Sequence, residues 1–508
     1  MQVAQLKEPV ETSDVTASGI AASSIAADSV AAEASQGGAL LKLLTCGSVD
    51  DGKSTLIGRL LWDAAGVTED QRAAVTLASH NRGVNGERID FSLLLDGLQA
   101  EREQGITIDI AWRYFETPER RFIIIDSPGH EQYTRNMATG ASHADIAILL
   151  VDARHGAKRQ TRRHAAICDL VGIKRVVLAV NKMDEVGWSE ARFREIEAEF
   201  NAMAGSFNFA ETTTIPVAAL TGDNVAYRST TMPWYLGPTL LDYLESVDPE
   251  TARLDVPFRM PVQLVLRAAG DFRGYSGTVT SGRIGVGERI VDARSGLGAT
   301  LRRIATMDGD RSFAAKGDAV TLVLDTDLDI SRGAVLSEVP RRPINADVIE
   351  ARLVWLSEAP FDPESGYLLR TATDLTPVSS VSVSALIDFE TLASQPAHGC
   401  GVNDIADCRI LLGRSASIDL FRDLPLTGSF VLVSAIDGAT VAGGVITWAQ
   451  AGAPALGDNV FVIDRALLSR GLCADLGDSP HDQAEFSRRA QELAALMRSA
   501  GVPVLIEI

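Results

Sequence analysis

The residues of this chain best equipped for chemistry are a lysine and a serine that follow two spaced glycines, in Gly47-Ser-Val-Asp-Asp-Gly52-Lys53-Ser54. Every fixed position of the pattern G-x-x-x-x-G-K-[ST] is satisfied. Glycine lets backbone amides close around phosphate oxygens, Lys53 is a cation for the β and γ phosphates, and the Ser54 hydroxyl suits magnesium. Gly47, Ser48, Val49, Asp50, Asp51, Gly52, Lys53, Ser54 and Thr55 are therefore the expected cradle of a nucleoside triphosphate. A glycine turn that merely joins a strand to a helix would satisfy the same letters, but two more motifs farther along the chain argue against it.

Asp126-Ser-Pro-Gly129 ends the apolar run "RFIIID", where an aspartate can reach magnesium through water and the Gly129 amide can meet the terminal phosphate. Asn181-Lys182-Met-Asp184 ends the run "RVVLAV". The Asp184 carboxylate can accept from both N1–H and the exocyclic amine of guanine, whereas adenine offers no matching pair of donors. GTP, with magnesium, is the expected cofactor. Thr107 in "EQGITID" is a second hydroxyl for the metal that would engage only with the γ phosphate present, and His130, next to Gly129, is placed to orient the attacking water.

These groups need strand ends to hold them. The run "LLKLLTCG" leads into the glycine loop and "KSTLIGRLL" opens a helix, while "RFIIID", "DIAILLVDA" and "RVVLAVN" are continuous apolar strands separated by helix-length segments. Continuous runs alternating with helices predict a mostly parallel sheet covered on both faces, which binds its ligand at the carboxyl ends of the strands. The fold class is thus an α/β P-loop GTPase domain. Beyond about residue 252 the text changes to short strands punctuated by glycine, which predicts two β-barrel domains in series. The division expected is a mobile tail over 1–38, a nucleotide domain over 39–252, barrels over 253–343 and 344–452, and an α/β segment over 453–508. In that segment Ser479 and Pro480 mark a helix start and Gly501 its end.

Composition bounds the partners. With a formal net charge of -20, the surface would repel nucleic acid unless a local basic patch intervened. No apolar run approaches the roughly 20 residues of a membrane span, and the first residues lack the basic start and apolar centre of a signal peptide. The five cysteines include no C-x-x-C pair, which fits buried thiols in a reducing, cytoplasmic setting.

Taken together, "GSVDDGKST", "EQGITID", "DSPGHEQYTRNM", "NKMD" and "ALTGDNV" followed by two barrels resemble a translational GTPase of the elongation-factor kind. Finer text narrows the resemblance. "VDDGKSTLIGRLL", with Asp51 where elongation factors usually carry histidine, "LLLDGLQAEREQGITIDIAWRYF", "RHGAKRQTRRHAAICDLVGI" and "DFRGYSGTVTSGRI" resemble the large GTPase subunit of bacterial sulfate adenylyltransferase over about 40–450. The resemblance implies that a separate small subunit binds ATP and sulfate and makes adenosine 5'-phosphosulfate. GTP hydrolysis by the large subunit drives that step. It also implies that Ala218, Ala219 and Leu220 line the base, with alanine at 218 where serine is common and the Ala219 amide left to meet guanine O6. The last segment resembles the middle of adenylylsulfate kinase but lacks its phosphate loop, and reads as a remnant without kinase activity. Two other readings share every nucleotide contact: a translation factor that binds RNA, and a paralogue that binds GTP without coupling it.

Overall fold

The computed structural model describes residues 40–64, 69–81, 89–94, 109–248, 256–267 and 272–451, and parts of 461–507. The tail expected over 1–38, Thr107 and Gly501 lie outside the described residues.

The apolar runs form one six-stranded sheet from β1 (Leu40–Gly47), β2 (Ala111–Glu116), β3 (Arg121–Asp126), β4 (Ile146–Asp152), β5 (Arg175–Asn181) and β6 (Glu211–Pro216), in the order β2-β3-β1-β4-β5-β6. All neighbours are parallel except β2 and β3. Every residue of β4 is buried, as expected of a central strand covered on both faces. The connecting helices are α1 (Lys53–Ala64), α2 (Glu69–Asn81), α3 (Thr134–Ala141), α4 (Arg159–Leu170), α5 (Glu190–Ala204) and α6 (Leu240–Ser246). Chain direction across the sheet reverses at β1, which lies between β3 and β4. A crevice opens at such a point because the loops on either side depart in opposite directions.

The first barrel runs β7 (Arg259–Pro261), β16 (Val335–Glu338), β11 (Arg289–Asp292), β12 (Gly298–Thr306), β15 (Ala319–Leu324) and β9 (Arg273–Thr278), and an Arg259–Ser281 bridge brings its two ends together. Short strands flank it: β8 (Leu264–Arg267) beside β9, β13 (Gly309–Arg311) beside β12, and a pair made by β10 (Arg283–Gly285) and β14 (Phe313–Ala315). The second barrel runs β18 (Tyr367–Arg370), β22 (Ser429–Ser434), β23 (Thr440–Ala451), β17 (Ile344–Trp355), β21 (Ile405–Ile418) and β19 (Leu375–Ile387), and closes where β19 pairs with β18. The short β20 (Ser394–Pro396) pairs with the far end of β19. Closure leaves no open edge among the six strands of that ring. Arg259 of the first barrel is buried and donates to both oxygens of Asp419 in the second, at 2.9 Å each.

The second barrel also shares the core of the nucleotide domain. Val354, Phe389, Ile405 and Val445 are buried with residues of the sheet rather than with the barrel's own interior. In the last segment β24 (Phe461–Asp464) pairs in parallel with β25 (Val504–Glu507), and α7 (Pro480–Ser499) lies between them in sequence. The expected cap is present: the Asp482 amide donates to Ser479 Oγ at 3.1 Å. All five cysteines are free and buried, and no described helix is long and apolar enough to cross a membrane.

Candidate nucleotide site

The strand register gathers the motifs at one edge of the sheet. Thr45, two residues before Gly47, lies beside Asp126, and Asp152 lies beside Asn181. The loop after Gly47 bends through residues with positive φ at Asp50 (68°) and Gly52 (91°) before α1 begins at Lys53. Glycine is required at 52 for a second reason: a Cβ there would sit 2.5 Å from Asn181 Nδ2.

The base motif braces this loop from behind. Asn181 Nδ2 donates to the Asp51 carbonyl at 2.9 Å, and Lys182 Nζ donates to the Asp50 carbonyl at 2.5 Å. Lys182 has a left-handed backbone (φ 62°) and also pairs with Asp152 at 3.1 Å. Burial works against ionisation of Asp152, but Arg154 and Lys182 overcome it and hold this carboxyl well below its usual range.

Asp184 is half-buried at the start of the short turn Met183–Val186. Opposite it, the loop of Ala218, Ala219 and Leu220 is fixed by its own polar groups. Asp223 is likewise disfavoured as an anion by burial, yet hydroxyls of Ser229, Thr221 and Thr231 hold its carboxyl below the usual range. Asn224 Nδ2 donates to the Pro216 carbonyl at 3.0 Å, and Arg59 of α1 donates to the Leu220 carbonyl at 3.3 Å. The amide offered by sequence to guanine O6, that of Ala219, already donates to Asn181 Oδ1 at 3.0 Å. A base oxygen would have to share that proton, so part of the role given to Ala219 is to hold Asn181 in place.

At the phosphate end, groups are assembled without being consumed. Lys53 is buried, and a Cβ placed on Gly129 would lie 3.1 Å from its Nζ and 2.5 Å from the Gly47 carbonyl. Ser48 Oγ is buried with no hydrogen-bond partner. A buried hydroxyl without a partner is costly unless a ligand supplies one, and a triphosphate oxygen would. Thr45 Oγ1 donates to Asp126 Oδ1 at 3.2 Å, fixing this carboxylate beside the loop. His130 is exposed, and its Nδ1 accepts from the Gln132 amide at 3.3 Å, which leaves Nε2 as the ring nitrogen for other work. Ser54 and Thr55 are half-buried in the first turn of α1, and Val49 is exposed at the loop tip.

Sequence reasoning missed the partner of Asp51. That carboxylate is buried; it accepts from the Ser48 amide at 2.7 Å and from Lys158 Nζ at 3.1 Å. Burial pushes its pKa up, and Lys158 offsets this only in part. The missed signal was a lysine directly before α4, 107 positions from Asp51.

A glycine-rich loop between a strand and a helix, an N-K-x-D motif at the end of β5 and two barrels are the features of a GTP-binding protein of the elongation-factor class. The chain matches the family described as Elongation factor Tu GTP binding domain over residues 39–250, and GTP-eEF1A C-terminal domain-like over 348–447. It is 46% identical over 410 residues to "Sulfate adenylyltransferase subunit 1" of Colwellia psychrerythraea, covering 81% of this chain and 88% of that protein. The protein of the same name from Methylorubrum populi is 47% identical over 407 residues, covering 80% and 87%. "Bifunctional enzyme NodQ" of Rhizobium tropici is 42% identical over 515 residues, covering 92% and 81%. The chain belongs to the sulfate adenylyltransferase subunit 1 family, and its nucleotide domain is a GTPase domain.

Proposed function

We propose that this chain hydrolyses GTP to drive formation of adenosine 5'-phosphosulfate and diphosphate from ATP and sulfate by a small partner subunit. The observation that carries the reading is the cradle around Gly129, Lys53 and the unpartnered Ser48 Oγ, which fits a terminal phosphate, in a chain 46% identical to a subunit 1 protein. In this reading Lys53 and the amides from Val49 to Thr55 hold the phosphates. Asp184, with Asn181, Lys182, Ala218, Ala219 and Leu220, holds guanine. His130 orients the attacking water.

Magnesium would be held by Ser54 and Thr107 directly and by Asp126 through water, and it would supply charge neutralisation across the β and γ phosphates. The chain's own residues contribute position: Thr45 fixes Asp126, and Lys182 fixes the loop carbonyl of Asp50. The γ phosphate would order the Thr107 and Asp126 segments together, so that a partner-binding surface forms with GTP and relaxes after hydrolysis.

The domain division at 39–252, 253–343, 344–452 and 453–508 is part of the same reading, as is a cytoplasmic setting. The last segment is read as a kinase-like remnant without kinase activity. The wider reach of the Rhizobium tropici NodQ match, 92% of this chain against 81% for the Colwellia subunit 1 match, supports likeness of that segment to a relative; its lack of activity is read from the missing phosphate loop.

The test is GTP turnover of the full chain with and without the small subunit, ATP and sulfate. Stimulation by the complete mixture is expected. An unchanged rate at saturating partner and substrates contradicts coupling, and tight, salt-dependent binding of aminoacyl-tRNA would favour a translation factor instead.

A further inference from the structure

Asp51 and Lys158 join the phosphate loop to a helix that also carries much of the contact with the second barrel. Lys158 stands at the N-cap of α4, where its amide donates to Thr161 Oγ1 at 3.2 Å, so its position follows that of the helix. In the first turn of α4, Arg159 and Arg162 pair with Glu390 of the second barrel at 3.6 and 3.2 Å. The Arg163 guanidinium lies 4.7 Å from the ring centre of Phe389, which is buried in the nucleotide-domain core. Farther along, Ala166 and Asp169 line a cavity of ≈ 120 Å³ against Arg352, Ile387 and Ile405 of the barrel.

We propose that the Asp51–Lys158 pair is a positioning link through which the seating of the second barrel on α4 sets the geometry of the phosphate loop, and so the affinity for nucleotide. Asp51 is suited to this because its two carboxylate oxygens do different jobs. One takes the Ser48 amide inside the loop, and the other takes the ammonium brought by α4. A displacement of α4 therefore changes what the Ser48 amide and its unpartnered hydroxyl present to phosphate. Asp51 is buried, so parting from the Lys158 ammonium would leave its charge poorly compensated, and the pair resists separation when α4 moves. The inference rests on the GTP-binding reading above, and a surface that docks on the barrel would act on GTP through it.

The experiment measures GDP and GTP affinity by fluorescent-nucleotide titration, and kcat and KM for GTP, on the full chain. Lys158→Met should weaken nucleotide about tenfold with kcat within about twofold, because loop geometry rather than the reacting groups is altered. Asp51→Asn, which keeps an acceptor for the Ser48 amide but loses the ion pair, should show at least the same loss of affinity. Lys158→Arg should restore affinity to within about threefold, a rescue that general destabilisation does not give.

Glu390→Lys, which sets a cation against Arg159 and Arg162, should weaken nucleotide about threefold in the wild-type background and not at all in Lys158→Met. Independent, multiplying effects of Glu390→Lys and Lys158→Met would overturn the link, as would an arginine variant no better than methionine. A wild-type chain that binds neither nucleotide would overturn the GTP reading and the link together; binding with multiplying effects removes the link alone.

Discussion

The two ends of the nucleotide site are built differently. At the end proposed for the base, Asp223, Asn224, Asn181 and Arg59 are all engaged with neighbouring groups, and the loop of Ala218, Ala219 and Leu220 is held by them. At the phosphate end, Ser48 Oγ has no partner, His130 is exposed, and Lys53 lies under Gly129. The difference separates two tasks. Selecting guanine needs donors and acceptors that do not move, whereas responding to a γ phosphate needs groups whose best partner is the phosphate itself.

This contrast can be broken at either end. The largest effect is expected from His130→Ala, which should lower kcat for GTP roughly 100- to 10,000-fold by removing the group proposed to orient water, with KM little changed. Equal losses in kcat and in affinity would place His130 in binding. Next in size, Asp184→Asn should cost roughly 100-fold or more in GTP affinity and gain XTP, because an amide can donate to the O2 of xanthine where the carboxylate met the guanine amine. Loss of GTP without a gain of XTP would mean that the base end is not the rigid reader described.

Gly129→Ala should weaken GTP more than GDP, by about tenfold, because the added methyl lies 2.5 Å from the Gly47 carbonyl and beside Lys53. Equal weakening of both nucleotides would move this glycine away from the terminal phosphate.

The effect that bears least on nucleotide binding concerns stability beneath the site. His164 of α4 is fully buried, and burial, with Lys53 and Arg163 adding repulsion, pushes it down to about 3 from an ordinary 6.5. The unfolded chain therefore binds a proton below about pH 6.5 that the folded chain refuses, so stability falls with pH between 6.5 and about 3. The slope is about 1.36 kcal/mol per pH unit. Thermal unfolding followed from pH 7 to 5 should show this fall, and His164→Gln should flatten it. A slope untouched by the substitution would assign the acid sensitivity to carboxylates.

Much of this site was legible because its motifs are short and contiguous. The spacing of Gly47, Gly52 and Lys53 is itself the geometry of the loop, and Asp126 and Asn181 each end an apolar run, so strand order alone brings them together. What could not be read are the links between distant positions. Lys158 meets Asp51 across 107 residues, and Arg259 meets Asp419 across 160. Nothing local distinguishes that lysine and that arginine from solvated surface charge. The Ala219 amide shows the same limit: its place beside the base was expected, but its engagement with Asn181 depends on how two loops meet. Barrel closure was foreseeable from short strands, whereas the use of Phe389 and Ile405 to complete the nucleotide domain's core was not, since their apolar character fits either interior.

The central claim is that GTP held by this chain drives sulfate activation by a partner. The most direct measurement is adenosine 5'-phosphosulfate formation by the chain co-purified with the small subunit, with ATP and sulfate present and GTP or XTP added. Wild type should form product with GTP, and Asp184→Asn should form it with XTP in place of GTP. Product that ignores the guanine nucleotide, or an Asp184→Asn chain that still answers to GTP, would contradict the account.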